Sequence, residues 1–374
     1  MEILSYLIIP IILIYTILIV IFSWQWIKMS FFDCANDEAN YSFTKFSILI
    51  PFRNEEKNLP LLFQDLEAQH YPTSQFEVIF IDDESSDDSL QIIQNLIKSS
   101  KLSCTTVISL GGKKKAIQKG LNQAAGDFII SLDADVRIGP KLIQCYHNYY
   151  QSSKAKLIAG PVRFANDRGI LSKLFSLEFS SLIASAAAAI SLQKPMMLNA
   201  ANMGFERAVA LGFEKEIYQS EQASGDDQFL MEAIERKYGA EQIHFLKSNE
   251  AIASTLAPEN LSQFFNQRVR WASKTSSYTS RFSQVVAVLI FLFNTIVLGS
   301  LILSIIQQCA FPFLLMYSIK LLIDLPILLS ISFFFRQQKN MLYYPLLQFL
   351  YPWYIVIVAV WSLIGGYSWK GRKY

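Results

Sequence analysis

Histidine is nearly missing from this chain: only His70, His147 and His244 occur in 374 residues, and they stand apart from one another. Isolated histidines are usually structural, so none is assigned to chemistry. The four cysteines, Cys34, Cys104, Cys145 and Cys309, show no C-x-x-C spacing. That scatter argues against structural zinc and against a disulfide scaffold, and free thiols are expected. Charged residues are only 17% of the chain and the formal net charge is +2. A balance so close to neutral gives no reason to expect nucleic acid as a partner. The P-loop pattern G-x-x-x-x-G-K-[ST] is absent as well.

What the chain has in abundance is apolar surface, with 52% hydrophobic and 14% aromatic residues. Ile3 to Trp24 is an uncharged run, long enough at about 1.5 Å per residue to cross a hydrocarbon layer of about 30 Å. Only Glu2 precedes it, and bulky Trp24, Trp26 and Ile27 follow. A cleaved signal needs a basic leader and a small-residue cleavage site, so residues 1–28 are expected to remain as an anchor. Lys28 and the interfacial tryptophans put the following residues on the cytoplasmic side.

A second apolar region spans residues 285–368, with runs at Val285 to Ile306, Ala310 to Phe335 and Met341 to about Ser368, the last broken by Pro345 and Pro352. About three helices are expected there. Lys320 and Asp324 fall at an i, i+4 spacing that lets them pair inside the membrane. Three C-terminal spans would leave Lys370, Arg372 and Lys373 outside, against the positive-inside tendency, so either the last segment is re-entrant or the tendency fails here. Leu174 to Leu192 is also apolar, but its small polar residues and Glu178 point to a packed or interfacial helix.

Between these regions the pattern alternates strands and helices, as in an α/β domain. Phe46 to Pro51, Phe76 to Ile81 and Cys104 to Leu110 read as strands, with helices over Glu55 to Gln69 and Asp87 to Ile97. Each strand ends in polar residues: Arg53-Asn54-Glu55-Glu56 after the first, Asp82-Asp83-Glu84-Ser85-Ser86-Asp87 after the second. A helix cap accounts for one acid of the second run, while Asp82 and Asp83 sit where a carboxylate can accept from a base or ribose. Gly111-Gly112-Lys113-Lys114-Lys115 opens a further helix, and lysines in a first turn oppose the helix dipole unless an anion meets them. Phe128 to Leu132 is a buried strand running into Asp133-Ala134-Asp135, a D-x-D pair suited to magnesium or manganese bridged to substrate phosphates.

Taken together, ILIPFRNEE (48 to 56), IDDESSDDS (81 to 89), GKKKAIQ (112 to 118) and LDADV (132 to 136) resemble the nucleotide-sugar half of a family 2 glycosyltransferase of GT-A fold. Ala200 to Arg207 resembles the acceptor-side segment G-A-N-M-A-F-R-R, and Gly225 to Leu230 the T-E-D-x-x-L segment. Gln267-Arg268-Val269-Arg270-Trp271 fits Q-x-x-R-W, the mark of the membrane-bound branch that includes cellulose, chitin, hyaluronan and poly-N-acetylglucosamine synthases and ceramide glucosyltransferases. Three positions depart from the pattern: Gln118, Gly225-Asp226 and Ala200 stand where Asn, Thr-Glu and Gly are usual.

The resemblance implies an α/β GT-A catalytic domain over residues 45–275. Pro51, Arg53, Glu55, Asp82, Asp83, Lys113 and Asp133 would bind the nucleotide sugar, and Asp133 with Asp135 would hold Mg2+ or Mn2+. Asp227 would be the general base, supported by Asp226, while Asn202, Gln267, Arg270 and Trp271 would serve the acceptor and leaving group. In an inverting transfer one base and one stabilised leaving group suffice, with no covalent nucleophile. A second carboxylate beside the base favours proton acceptance. Read without the resemblance, Asp226 and Asp227 are an ordinary cap for the helix beginning at Gln228, and Arg270-Trp271 an interfacial anchor.

The expected protein is thus a membrane enzyme of the bacterial inner membrane with its catalytic domain facing the cytoplasm. It would move a sugar from a nucleotide-sugar donor, UDP-linked by resemblance, to a lipid or glycan acceptor. A processive synthase that extrudes its polymer is the nearest alternative, and a non-catalytic membrane scaffold a more distant one.

Overall fold

The structure is a computed structural model that describes residues 2–34, 42–165, 169–214, 217, 225–273, 280–365, 368–369 and 372–373. The chain forms two compact units. One, α/β in character, comprises residues 29–165 and 193–256; the other, helical, comprises residues 1–28, 166–192 and 257–374.

In chain order the elements begin with helix α1 (Glu2–Lys28), strand β1 (Phe46–Phe52), α2 (Leu59–Glu67), β2 (Phe76–Asp83), α3 (Ser89–Ser99), β3 (Ser103–Ser109), α4 (Lys113–Gln123) and β4 (Phe128–Leu132). There follow β5 (Arg137–Ile138), α5 (Leu142–Ser153), β6 (Leu157–Ala159), β7 (Val162–Phe164), α6 (Ile170–Ser191), β8 (Asn202–Glu206), α7 (Arg207–Gly212), α8 (Asp226–Tyr238), β9 (Ile243–Phe245) and β10 (Ala253–Thr255). The chain continues through α9 (Leu261–Ala272), α10 (Arg281–Ile306), α11 (Phe311–Phe334) and α12 (Tyr344–Ile364).

The α/β unit is built on a seven-stranded sheet in the order β3-β2-β1-β4-β8-β6-β9. Its first four strands are parallel, and β8 runs antiparallel between β4 and β6. The apolar sequences FSILIPF of β1 and FIISL of β4 are buried along their whole length. Strands covered on both faces need such unbroken apolar runs, and parallel pairs need helical crossovers, here α2, α3 and α4. The register sets Phe52 beside Asp82 and Asp83 beside Ser109, so the polar strand ends gather at one edge of the sheet. A second sheet, β5-β10-β7, pairs β10 antiparallel to β5 and parallel to β7.

One expectation fails in this unit. Cys34 and Cys145 are joined as a disulfide with their Cα atoms 5.1 Å apart, while Cys104 and Cys309 are free. The partners lie 111 residues apart in sequence, so no local spacing announces them. The bond ties the segment ahead of β1 to α5, and Asn148 Nδ2 donates to Cys34 O at 3.0 Å alongside it.

In the helical unit, α1, α6, α10, α11 and the segment Gln338–Ile364 are each long and apolar enough to cross a membrane. Such lengths and compositions suggest a membrane protein, and α6 is a further helix of sufficient length beside the N-terminal and C-terminal ones. Most of α6 is buried by its neighbours, in keeping with a packed helix. Pro345 falls in the first turn of α12, where it costs no hydrogen bond, and Pro352 lies inside it. Lys320 and Asp324 pair as their spacing predicts, Nζ to Oδ2 at 2.7 Å, and Tyr15 Oη of α1 donates to Asp324 Oδ1 at 2.8 Å. Trp24 is exposed on α1, but Trp26 is buried with its ring edge-on to Phe334, so only the first suits an interfacial belt. Lys370 of the basic tail lies outside the described residues.

Candidate active site

The strand-end acids divide into two kinds of position. Asp82 and Asp83 close β2 and are both buried, at 4% and 2% exposed. Asp82 Oδ1 accepts the amide of Ser85 at 3.1 Å, and Asp83 Oδ1 accepts the amide of Gly112 at 2.8 Å. Arg53, from the turn after β1, donates to the carbonyl of Asp83 at 3.0 Å. The same turn is cross-linked to the β2 end by Asn54, whose Oδ1 accepts from the amide of Ser86 at 2.8 Å, and by Ser89, whose Oγ accepts the amide of Glu55 at 2.7 Å. Glu55 in turn accepts from Asn58 Nδ2 at 2.6 Å, and Pro51 is buried within β1. The expected capping of α3 comes from Asp87, whose Oδ1 accepts the amide of Ser89 at 3.1 Å. These amide and hydroxyl bonds outweigh partial burial and hold the Asp87 carboxyl below its ordinary pKa.

The bond from Gly112 to Asp83 fixes how α4 starts. Gly111 and Gly112 take φ values of +109° and +94°, a region open to glycine. A Cβ on Gly111 would also meet Lys115 Cδ at 2.8 Å. From this turn Lys113 reaches across to β4, and its Nζ forms an ion pair with Asp133 Oδ1. Burial alone would lower the Lys113 pKa; the carboxylates of Asp133, Asp226 and Asp227 overcome that and hold it above the ordinary value. Lys114 is the reverse case, buried at 4% exposed beside the ring of Phe229, so its pKa falls although Asp226 partly offsets the effect. Further along α4, Gln118 Nε2 and Asn122 Nδ2 both donate to Glu214 Oε1, at 2.6 and 3.1 Å.

Asp133 and Asp135 are half-buried at the end of β4. Asp135 Oδ2 accepts from Thr255 Oγ1 of β10 at 3.1 Å, a contact that no pattern in the sequence signals. Two hard oxygen donors two residues apart, open to solvent, fit magnesium or manganese, which keep water and substrate oxygens in their shell. Among the described residues no three histidine, cysteine or acidic side chains are grouped to hold a metal on their own.

Asp226 and Asp227 occupy the first turn of α8 instead of preceding it, with Gly225 in the left-handed region at the cap. Acids in a first turn suit the helix dipole, and both carboxylates add to the field that raises the Lys113 pKa. Asp226 is 8% exposed and Asp227 half-buried, its Oδ1 accepting the amide of Gln228 at 2.9 Å. Asn202 differs from these. It is fully buried on β8, and its amide donates to the carbonyls of Pro161 and Ala251 at 3.0 and 2.8 Å and accepts from Tyr146 Oη at 2.9 Å. Its side chain braces the sheet and does not reach solvent.

Gln267, Arg270 and Trp271 lie on α9, within the helical unit. The residue that anchors this helix is Arg268, unassigned in the sequence reading. It is 2% exposed and grips the equally buried Glu178 of α6 through Nε, at 3.0 and 3.1 Å to the two carboxylate oxygens, and through Nη2. Tyr354 Oη of α12 donates to Glu178 Oε1 at 3.0 Å, and Arg268 Nη1 donates to Gln267 Oε1 at 2.5 Å. The guanidinium lies 4.3 Å from the Trp271 ring, which also packs against Phe179. Phe264 and Trp271, four residues before and three after Arg268 on the same helix, were the available signal, since that spacing sets both rings beside its guanidinium.

Residues 47–210 match the profile of Glycosyl transferase family 2, a stretch that runs from β1 through β8 and includes α6 of the helical unit. Over 132 residues the chain is 28% identical to the poly(ribitol-phosphate) beta-N-acetylglucosaminyltransferase TarS of Staphylococcus aureus, covering 35% of this chain and 23% of the relative. Over 105 residues it is 40% identical to an undecaprenyl-phosphate 4-deoxy-4-formamido-L-arabinose transferase of Photorhabdus laumondii, covering 26% of this chain and 31% of the relative. The chain thus spans less than a third of the length of either. Among solved structures, the mannosyltransferase PcManGT of Pyrobaculum calidifontis, in complex with GDP-Man and Mn2+, has the same fold at a TM-score of 0.58 and 14% identity, over 96% of this chain and 99% of that one. The expected α/β fold class with additional apolar helices is accordingly the observed one.

Proposed function

We propose that the protein is an inverting glycosyltransferase that moves a sugar from a nucleotide donor, a UDP-sugar in our reading, to a membrane-associated lipid or glycan acceptor. The observation that carries this reading is the ion pair between Lys113, at the start of α4, and Asp133, at the D-x-D end of β4, with the acids of the α8 first turn adding to the field at that ammonium. The names of the relatives support the acceptor class, since one acts on a poly(ribitol-phosphate) and the other on undecaprenyl phosphate. The N-acetylglucosaminyl group of the first name supports a hexosyl cargo, whereas the arabinose derivative of the second is a pentosyl group, and GDP-Man in the structural neighbour makes the base of the donor an object of test.

In this reading Asp83 and Arg53 frame the nucleoside side of the pocket, and Lys113 faces the diphosphate. Asp133 and Asp135 would hold Mg2+ or Mn2+, and such an ion neutralises charge on the leaving diphosphate. Asp227 accepts the proton of the attacking hydroxyl as it approaches the anomeric carbon from the face opposite the diphosphate, with Asp226 beside it in the same helical turn. Gln267, Arg270 and Trp271 serve the acceptor and leaving group, and Asn202 contributes by bracing β8. We place the α/β unit on the cytoplasmic side of a bacterial inner membrane, on the strength of Lys28 at the end of α1.

A donor screen in lipid nanodiscs, read by release of free nucleotide from UDP-glucose, UDP-N-acetylglucosamine, UDP-galactose and GDP-mannose, tests the assignment. One donor is expected to turn over with added Mg2+ or Mn2+, and Asp135→Ala to abolish that turnover. Asp227→Asn is expected to bind donor normally yet turn over at least ~10²-fold more slowly, the loss typical of a general base. Near-normal turnover by Asp227→Asn would reject its role. Chain length of the labelled product then separates a single transfer from processive synthesis.

A further inference from the structure

The carboxylate assigned to metal already carries a cation that belongs to the chain. Lys113 Nζ is paired with Asp133 Oδ1, with Asp226 and Asp227 close enough to reinforce its charge. Both partners remain accessible, the Lys113 side chain at 23% and that of Asp133 at 34%. The base of the lysine is fixed, because the preceding amide, Gly112 N, is bonded to Asp83 Oδ1. Its flexible four-carbon stem is not, so the ammonium can swing while the backbone stays in place. Asp135 Oδ2 accepts from the Thr255 hydroxyl.

An ammonium and a divalent ion about 4 Å apart repel strongly even at the effective dielectric of a protein surface. They cannot share Asp133 comfortably. A diphosphate arriving at the same place removes the conflict, since it offers the lysine another anion and offers the metal further oxygen ligands. We propose that Lys113 is a positioning residue that serves as an internal counter-ion: it occupies Asp133 in the donor-free protein and transfers to the donor's diphosphate, so that metal and nucleotide bind with positive coupling. The inference rests on the glycosyl-transfer reading of this site. By linkage the coupling is reciprocal, each ligand tightening the other by the same factor.

The test is Mn2+ binding to the full chain in nanodiscs, measured by the electron paramagnetic resonance of free Mn2+, with and without UDP. Wild type is expected to bind Mn2+ weakly alone and at least about tenfold more tightly with UDP. Lys113→Gln should bind Mn2+ about tenfold more tightly than wild type in the absence of nucleotide and lose most of the UDP effect, whereas Lys113→Arg, which keeps the counter-ion, should behave as wild type. Asp133→Ala should lose Mn2+ binding. Equal nucleotide-free affinities in wild type and Lys113→Gln, with Asp133→Ala still defective, would overturn the counter-ion role and leave the metal assignment standing. Unimpaired Mn2+ binding by Asp133→Ala would overturn both. Should Lys113→Gln fail to fold, as judged by its melting temperature, wild-type Mn2+ affinity that does not respond to UDP, or Lys113→Arg that binds Mn2+ like a neutral variant, overturns the proposal.

Discussion

Lys247 carries the clearest pH signature in the α/β unit. The residue is 8% exposed, its ammonium donates to the carbonyl of Met29 at 3.1 Å, and burial holds its pKa down to about 8, against an ordinary value of 10.5. Between those values the unfolded chain binds more protons than the folded one, so folding stability contributed by this site rises with pH across the window. Below about pH 8 the folded chain bears the full cost of the buried charge. The stability of wild type minus that of Lys247→Met is therefore expected to grow between roughly pH 8 and pH 10, as followed by chemical denaturation of both chains. A difference that stays flat or shrinks would place the ammonium in a more solvated setting. At this scale the acids drew notice through a resemblance and their partners drew none. Taken alone, carboxylates at a strand end or helix start read as ordinary turns and caps, and Asp83, Asp133, Asp135, Asp226 and Asp227 stood out because they fall in motifs that resemble a family. Thr255 on Asp135 and Gly112 on Asp83 did not, because hydrogen bonds between residues far apart in the chain leave no local pattern.

Among the elements, α9 shows how a motif is held. Arg268 and Glu178 are each 2% exposed, and Tyr354 adds a third polar group to the pair. Removing one partner of a buried pair strands the other charge, so Arg268→Ala is expected to destabilise the helical unit by roughly 3–5 kcal/mol. The double variant Arg268→Met with Glu178→Leu should recover most of that loss, because no charge is left buried. Thermal unfolding in detergent compares them, and equal losses in the single and double variants would mean that packing, not charge, governs the joint. The Cys34–Cys145 disulfide acts on another element boundary, closing a loop of 111 residues ahead of α5. Its reduction should cost about 2–4 kcal/mol, visible as a lower melting temperature in dithiothreitol that a Cys34→Ser variant no longer shows. The strands and helices from β1 to β4 were readable in advance, since parallel strands buried on both faces demand unbroken apolar runs. Glu178 was read as a sign of packing for α6, and Arg268 is the reason that reading holds.

The whole molecule carries a Glycosyl transferase family 2 match over residues 47–210 and, among the described residues, five helices of membrane-crossing length. Two observations pull its orientation in opposite directions: Lys28 after α1 favours the cytoplasmic side for the α/β unit, while a disulfide is a feature of oxidising compartments. In our reading a single cysteine introduced at Lys101, on the exposed turn after α3, is shielded from a membrane-impermeant maleimide in intact cells and labelled after lysis. Labelling in intact cells would move the catalytic face outside. Hydropathy identified the C-terminal helices, yet α6 met the length requirement despite its small and polar residues. Composition reports how apolar a helix is and leaves open whether lipid or protein covers it.

The central claim is that the residues around Lys113 handle the donor diphosphate next to the proton acceptor. Its most direct measurement is an experimental structure of the Asp227→Asn chain in nanodiscs with UDP and Mn2+. The account predicts diphosphate density within hydrogen-bond reach of Lys113, with the metal between the phosphates and the carboxylates of Asp133 and Asp135, and residue 227 facing the space beyond the terminal phosphate. Nucleotide bound elsewhere, or Lys113 still paired with Asp133 while the diphosphate is in place, would contradict it.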